Sequence, residues 1–411
     1  MIPGAPGRIW AGRAFAFAGI VIVAASMRTA VASVSPILAL IGNDVHFTPF
    51  SVGILGMLSP VAFSVFGLAA PWFARRVGLE WALMIGVFLT GVGQILRAFS
   101  SETNAFLGWS VVALAGIGAS NVLLPPLIKK YFPDRVAFMS ALYVSVAVAS
   151  TMFPPLLSAP LAEAINWRFS IASWAIIAFV AIIPWAALLI RRRSVDKPTL
   201  PHHTHKITRL VWKSPTSWAI TLGFAIASIN AYTSFAWLPM MLQERVGMTA
   251  AQTGSSLAFY VLLGLAPALF APILVARMKN VSFLYYLSSA SLLAGTTGLL
   301  LIPHTATLLW IALLGLGPLL FPVCLVLINY RTRTQEGSVA LSGMAQGVGY
   351  AIGALGPLGV GLIHAATPSW TPMLLMMMAT GVIAAFAGFI MRKNVMVDGT
   401  AVGSPAPLPP A

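Results

Sequence analysis

The first apolar segment, residues 13–38, reads RAFAFAGIVIVAASMRTAVASVSPIL. After its first position it holds a single charged residue, Arg28, in a run long enough to cross a bilayer as a helix. The apolar core of a cleaved signal peptide is shorter, and no small-residue cleavage site with a soluble sequence behind it follows. We therefore expect this segment to be retained as a membrane helix.

Similar apolar runs continue along the whole chain, which is 59% hydrophobic and only 8% charged. A soluble protein carries about 25% charged residues, so much of this surface must face lipid. The sequence predicts an all-α membrane protein with twelve transmembrane helices. The remaining segments are predicted at 50–73, 80–99, 105–128, 136–158, 168–190, 217–242, 251–275, 281–301, 306–329, 338–363 and 371–391.

The basic residues predict the orientation of these helices. Of the 24 Lys and Arg residues, 20 fall at the two termini or in every second loop, and therefore on one side of the membrane. The other four are Arg28, Arg97, Arg168 and Arg245. Positive loops stay in the cytoplasm, so both termini are expected there, in a multi-pass protein of the inner (cytoplasmic) membrane. The net charge of +15 is explained by these loops, and no nucleic-acid partner is expected.

The chain is predicted to consist of two six-helix halves that arose by duplication. Pro71 and Arg76 recur roughly 200 positions later as Pro272 and Arg277, and a fixed offset is the signature of an internal repeat. The longest polar loop lies between the halves. The predicted units are the N-terminal half (1–190), a cytoplasmic linker (191–216), the C-terminal half (217–392) and a disordered tail (393–411).

Several stretches resemble a known family. Residues 67–78, ending in Arg75-Arg76-Val77-Gly78, resemble the loop motif of the major facilitator superfamily, although the acidic residue of that motif is absent. Three others are similar to the cyanate and nitroimidazole transporter family within it. They are Met27-Arg28-Thr29-Ala30 with Ser35-Pro36-Ile37-Leu38, NVLLPPLIKKYFP at 121–133, and LSGMAQGVGY at 341–350 with Gly356-Pro357. The resemblance covers about 27–372 and implies the major facilitator fold and transport of a small anion or polar compound.

Arg28 is the first candidate for substrate binding. It lies about fifteen residues into the first segment, hence roughly 20 Å along the helix and near mid-membrane. An arginine that faces lipid there costs about 2.5–3.5 kcal/mol or more. No carboxylate is expected at its depth, because the acidic residues all fall in predicted loops: Asp44, Glu80, Glu102, Asp134, Glu163, Asp196, Glu244, Glu336 and Asp398. A substrate anion would supply the partner; the alternative is a structural arginine bonded to helix carbonyls or directed to the interface.

Other polar side chains in apolar segments are candidates for the same site, or for links between helices. Asn230 falls near the repeat counterpart of Arg28, so both are expected to face the cavity if the halves pack symmetrically. Gln346 and Tyr350 are four residues apart and share a helix face. The predicted substrate-binding residues are Arg28, Asn121, Tyr143, Asn230, Tyr232, Gln346 and Tyr350.

Two arginines are assigned to gating or to the mouth of the pathway. Arg76 belongs to the loop motif. Arg97 ends the third segment near the outside, where a side chain directed to the membrane interface is the default expectation and a role at the outer mouth, attracting anions, is the alternative. No catalytic triad, nucleotide motif, metal site or cofactor site is found, so an enzyme is not expected. The predicted protein is a monomeric secondary transporter that imports its substrate by alternating access, with a proton as a candidate coupling partner. The alternative is an exporter of drugs or metabolites.

Overall fold

The computed structural model describes residues 13–191, 205–278, 280–393 and 395–397. Within them, twelve helical spans are long and apolar enough to cross a membrane, as the sequence predicts. The N-terminal half contains α1 (Ala14–Ser26), α2 (Thr29–Ala32), α3 (Leu38–Gly42), α4 (Pro49–Val77), α5 (Leu79–Ala98), α6 (Thr103–Tyr131), α7 (Val136–Ser150), α8 (Phe153–Ala164), α9 (Trp167–Ser173) and α10 (Ala175–Arg191).

The C-terminal half has the same order of spans. Its helices, preceded by the short α11 (His205–Lys213), are α12 (Pro215–Val246), α13 (Ala250–Arg277), α14 (Ser282–Leu301), α15 (Thr307–Leu316), α16 (Leu320–Tyr330), α17 (Gln335–Ala366) and α18 (Thr371–Ile390). Short 3-10 turns at Ser35–Ile37 and Gly317–Leu319 complete the first and tenth spans.

The two halves repeat their local helix signals. Thr48 caps α4 and Thr249 caps α13, each in a capping box with the residue three positions later. Each helix has an arginine in its last turn, Arg76 and Arg277, 28 positions after its capping threonine. A cap of this kind satisfies backbone N–H groups that have no partner inside the helix. Corresponding helices of the two halves therefore begin at the same kind of cap and end at the same kind of basic residue.

The first span is broken where Arg28 lies. The Met27 N–H bonds back only three residues, to Ala24, and Arg28 forms the N-cap of α2. Further on, Pro36 has no N–H to donate, and the chain passes through a 3-10 turn before α3. A helix interruption inside a membrane protein is tolerated where the backbone is buried in protein or lines a cavity.

The ends of the bundle differ in how closely the halves pack. We name the end that holds Arg13 and Arg392 the terminal end, and the other the far end. At the far end, a Cβ on Gly361 of α17 would lie 2.6 Å from the Pro49 carbonyl oxygen of α4. A Cβ on Gly254 of α13 would lie 2.1 Å from the Pro155 carbonyl oxygen of α8. The far end is therefore closed by backbone contacts between the halves.

At the terminal end, polar contacts tie helices within the N-terminal half. Glu80, buried at the start of α5, forms an ion pair of 2.9 Å with Lys130 and accepts a hydrogen bond of 2.6 Å from the Tyr131 hydroxyl. Arg13 pairs with Asp134 at 2.6 Å. A hydrogen bond from its own backbone amide, followed by the one from Arg13, lowers the pKa of Asp134.

Part of the predicted linker is helical. The helix α11 packs against α17, and its Val211 is fully buried. The Trp218 indole donates to the Trp212 carbonyl over 2.9 Å. Although this short segment is basic, it is stabilised as a helix because packing against α17 covers apolar side chains. Residues 192–204 of the linker, and the predicted tail apart from 393 and 395–397, lie outside the described residues.

Candidate substrate-binding site

Arg28 lies at the interface between the two halves. Its guanidinium carbon is 5.5 Å from the centroid of the Phe63 ring on α4. The Tyr232 hydroxyl of α12 is placed to accept a hydrogen bond from the guanidinium, and the hydroxyls of Tyr350 and Tyr143 lie within electrostatic reach of its charge. The ion pairs found among the described residues include none at Arg28. Its partners are thus aromatic and phenolic groups.

Three rings from both halves surround this arginine. The Phe63 centroid is 6.3 Å from that of Tyr232 and 5.8 Å from that of Tyr350, and the two tyrosine centroids are 6.3 Å apart. All three pairs meet edge to face, an arrangement that stabilises aromatic contacts. Phe224 extends the cluster, with its centroid 5.0 Å from that of Tyr350. The positive charge of Arg28 therefore lies beside a cluster of aromatic rings.

A cavity of about 160 Å³ adjoins Arg28. Its polar lining consists of Arg28, Thr151, Ser228, Tyr232 and Tyr260, and the rest of its wall is apolar. Helix breaks shape it on two sides, because α7 ends beside it at Thr151 and the tenth span is interrupted beside it at 317–319. We name this space the Arg28 cavity.

A wider cavity of about 1240 Å³ extends from the Arg28 cavity to the terminal end. Val144 and Leu325 line both spaces, so they adjoin. The wider cavity is also lined by Trp212, Tyr330 and Ser338, which belong to the terminal end. A small molecule thus has a route between Arg28 and that end of the bundle.

Four of the seven predicted binding residues are brought together. Arg28, Tyr232 and Tyr350 form one cluster, and Tyr143 lines the wider cavity beside it. Gln346 lies one turn from Tyr350 toward the terminal end, where its Nε2 donates to the Ser342 hydroxyl over 2.7 Å. Ser342 lines the wider cavity, whereas Gln346 contacts that surface only through this hydrogen bond.

Asn230 and Asn121 are not part of this cluster. Asn230 is fully buried and donates to the Ile226 carbonyl and to the Thr380 hydroxyl of α18, each over 2.8 Å. Its side chain therefore points between helices, away from Arg28, while its neighbours Ser228 and Tyr232 line the cavity. Asn121 is half-buried on α6, and the described hydrogen bonds include none from its carboxamide.

The two arginines assigned to the mouth occupy different environments. Arg76 is exposed at the end of α4, with its guanidinium carbon 4.1 Å from the Trp72 ring centroid. Arg97 is 1% exposed, so its side chain is covered by protein. It donates to the Ala30 carbonyl over 3.0 Å and to the Ser33 hydroxyl over 3.2 Å. The interrupted first span supplies these acceptors, which is why the side chain turns inward.

Sequence reasoning missed Phe63 and Tyr260. Phe63 lies in an apolar run without any polar signal, and its role depends on packing against Arg28 across two helices. Tyr260 carries the same signal that pointed to Tyr143 and Tyr232, a hydroxyl in an apolar helix, and would have been found by applying that criterion to every span.

The fold and this central cavity define a secondary transporter of a kind built from two six-helix halves. Residues 20–354 match the family model described as Major Facilitator Superfamily. The chain is 31% identical over 381 residues to the 2-nitroimidazole transporter of Escherichia coli (strain K12), covering 92% of this chain and 95% of that protein. It is 25% identical over 347 residues to the cyanate transport protein CynX of the same organism, covering 84% and 88%.

A solved structure with the same fold is a bacterial homolog of the human lysosomal transporter Spinster, in an inward-facing and unoccupied conformation. Its TM-score is 0.74 at 13% identity, and the match covers 97% of this chain and 100% of that one. The chain belongs to the major facilitator superfamily and, within it, to the cyanate and nitroimidazole transporter family. It is a multi-pass membrane transporter and not an enzyme.

Proposed function

We propose that this transporter carries a small anion, or a small planar compound with anion-like oxygens, and that Arg28 is the group that binds it. The observation that supports this is a central guanidinium without a carboxylate partner among the described residues, bordering a cavity that reaches one end of the bundle. The planar fork of an arginine matches an oxyanion or a nitro group with two acceptors.

The size of the Arg28 cavity supports a small cargo. Its volume is about 160 Å³, and an engineered protein cavity of about 150 Å³ accepts one benzene molecule. Cyanate and a single nitroimidazole ring, which the relatives' names specify, both fit such a volume. The rings of Phe63, Tyr232 and Tyr350 offer surfaces on which a flat molecule stacks.

The direction of opening follows from the predicted orientation. With both termini in the cytoplasm, the terminal end faces inward, so the wider cavity opens to the cytoplasm and the far end is the closed outer side. We infer uptake by alternating access: the halves separate at the outer contacts of Gly361 and Gly254, and approach each other around the wider cavity. The remaining proposed binding residues are Tyr143, Tyr232, Gln346 and Tyr350, while Asn121 and Asn230 are assigned to supporting positions and Arg76 to the inner mouth.

The test is binding and uptake by the purified protein in proteoliposomes. Labelled cyanate and 2-nitroimidazole are offered to the wild type, to Arg28→Lys and Arg28→Ala, and to Arg168→Gln, whose exposed side chain pairs with Asp44 at the far end. We expect accumulation by the wild type and by Arg168→Gln, and loss of binding in both Arg28 variants at unchanged folded yield.

Two outcomes overturn the proposal. Wild-type binding that survives both Arg28 substitutions assigns the arginine a structural role. Absence of uptake, together with expulsion of dyes from cells that express the protein, replaces the importer with an exporter of drugs or metabolites. A proton requirement is read in the same vesicles by imposing a pH gradient on the uptake of each compound.

A further inference from the structure

Arg97 is a second buried charge that the proposed binding site does not use. It is 1% exposed, and two of its nitrogens donate to Ala30 and Ser33. Its Nε has no protein partner, and no carboxylate pairs with it among the described residues. Removing a guanidinium from water without an opposite charge costs several kcal/mol, so an anion would be favoured beside it.

A separate small cavity lies next to this side chain. It has a volume of about 40 Å³ and its polar lining includes Arg97, Ser35 and Ser59. The Ser35 hydroxyl is buried and has no protein partner. A cavity needs about 10–15 Å³ to hold one water-sized group, so this one accepts about three such groups. That is the size of a halide ion or a linear triatomic anion.

The small cavity and the Arg28 cavity share a wall. Val31, Tyr232 and Phe235 line both spaces, and the Tyr232 hydroxyl is the one placed against Arg28. Each of the two arginines therefore lines a cavity that borders the same tyrosine. The small cavity is on the side of the closed far end, since Val52, Leu55 and Gly56 near the start of α4 complete its lining.

We propose that the Arg97 cavity is a second binding site, selective for inorganic anions of one to three heavy atoms. It holds the anion with the Arg97 Nε and the Ser35 hydroxyl, in a position occluded from the Arg28 cavity by Tyr232. In the transport cycle it is the site that an anion from the far end meets first, and rotation of Tyr232 connects it with Arg28. This place in the cycle rests on the proposed function; the binding site itself does not.

A purely structural role for Arg97 makes a different prediction. In that role the guanidinium supports the carbonyl of Ala30 beside the helix interruption, and the two contacts to Ala30 and Ser33 are sufficient. The free Nε and the free Ser35 hydroxyl have no part in it. Replacing Ser35 by Ala then changes nothing, because the hydroxyl binds no ligand.

The experiment uses bromide as the probe. Crystals of the full-length protein grown in sodium bromide are measured at the bromine absorption edge, and bromide affinity in detergent is measured by thermal shift. We expect anomalous density within hydrogen-bond distance of the Arg97 Nε and the Ser35 Oγ. Ser35→Ala is expected to weaken bromide binding about tenfold, as for loss of one hydrogen bond to a charged ligand.

The matched control is Ser217→Ala. Ser217 is also a fully buried serine whose hydroxyl has no protein partner, but it lies near the start of α12 and lines neither cavity. Bromide affinity is expected to stay at the wild-type value in this variant. Saturating bromide without density at Arg97, or equal affinity in Ser35→Ala and wild type, overturns the second site.

The same measurements separate this site from the proposed function. In Arg28→Ala we expect bromide at Arg97 to persist. Bromide at Arg97, combined with wild-type cyanate binding that is unaffected by Arg28→Ala, supports the second site and rejects Arg28 as the substrate group. Cyanate binding that depends on Arg28, combined with an empty Arg97 cavity, rejects the second site alone.

Discussion

The Tyr232 hydroxyl of the C-terminal half lies against the Arg28 guanidinium of the N-terminal half. This contact joins a helix that runs without interruption, α12, to the interrupted first span. Any movement of one half relative to the other must alter it. In the proposed rocking of the halves, Arg28 would change partners, and a substrate bound to it would couple its own occupancy to that movement.

Tyr232→Phe is expected to weaken substrate binding while the protein keeps its fold. The variant removes the hydroxyl beside Arg28 but retains the ring, whose centroid lies 6.3 Å from that of Phe63. Without the hydroxyl that orients it, the Arg28 guanidinium should bind the substrate less well; the expected loss of affinity is about tenfold, the size of one charge-assisted hydrogen bond. The measurement is a binding isotherm for cyanate or 2-nitroimidazole. Tyr286→Phe, on α14 outside both cavities, is the control and should bind normally; equal affinity in Tyr232→Phe contradicts the prediction.

Gly361→Ala is expected to disfavour closure of the far end. The added methyl group would lie 2.6 Å from the Pro49 carbonyl oxygen, well inside van der Waals contact. Gly359→Ala in the same helix meets nothing within 4 Å and is the control. A cysteine introduced at Leu55 reports on the far end, because the single native cysteine, Cys324, is buried. Labelling by an impermeant maleimide should rise in Gly361→Ala only, and an unchanged rate would count against backbone closure there.

Asn230→Ala is expected to lower stability without changing substrate affinity. Its carboxamide links α12 to Thr380 of α18 by a hydrogen bond of 2.8 Å, and it is fully buried. Loss of a buried hydrogen bond that leaves a partner unsatisfied costs about 1–3 kcal/mol. Thermal unfolding in detergent measures the first effect and a binding isotherm the second. A large loss of affinity at wild-type stability would place Asn230 in the binding site after all.

The loop at the far end gives a pH-dependent contribution to stability. Hydrogen bonds from the Trp167 indole and from Arg168 hold the pKa of Asp44 below its ordinary value. A carboxylate with a lowered pKa stabilises the fold above its unfolded pKa, about 3.9, and the stabilisation is lost as the pH falls through the folded value.

Asp44→Asn removes this contribution. The wild type should have the higher melting temperature near neutral pH. The difference should begin to shrink as the pH falls below about 4, and should vanish once the pH is below the lowered folded pKa of Asp44. Glu163→Gln, at an exposed carboxylate with no hydrogen bond among the described residues, is the control and should show no such trend. A difference between wild type and Asp44→Asn that persists undiminished into acid would refute the role of the charge.

How much of the site the sequence reveals depends on the kind of residue. Arg28 and Tyr350 stand out because a charge or hydroxyl in an apolar helix needs a partner. Asn230 carries the same signal, yet in the structure its amide nitrogen bonds to Thr380 and to the Ile226 carbonyl rather than facing the cavity. The sequence pattern identifies that a polar side chain is buried. It cannot tell a side chain that links two helices from one that lines a cavity, because either position gives the polar group a partner.

The sequence by itself determined the number of spans, their order in two halves and the central position of Arg28. Hydropathy and length decide these features locally, since each membrane helix satisfies its own backbone within the lipid. Tertiary structure alone decided that Phe63, Tyr232 and Tyr350 surround Arg28, and that Arg97 turns inward to Ala30 and Ser33. The reason is physical: these contacts join residues far apart in the chain, and they exist only where helices from both halves, or an interrupted helix and its neighbour, pack together.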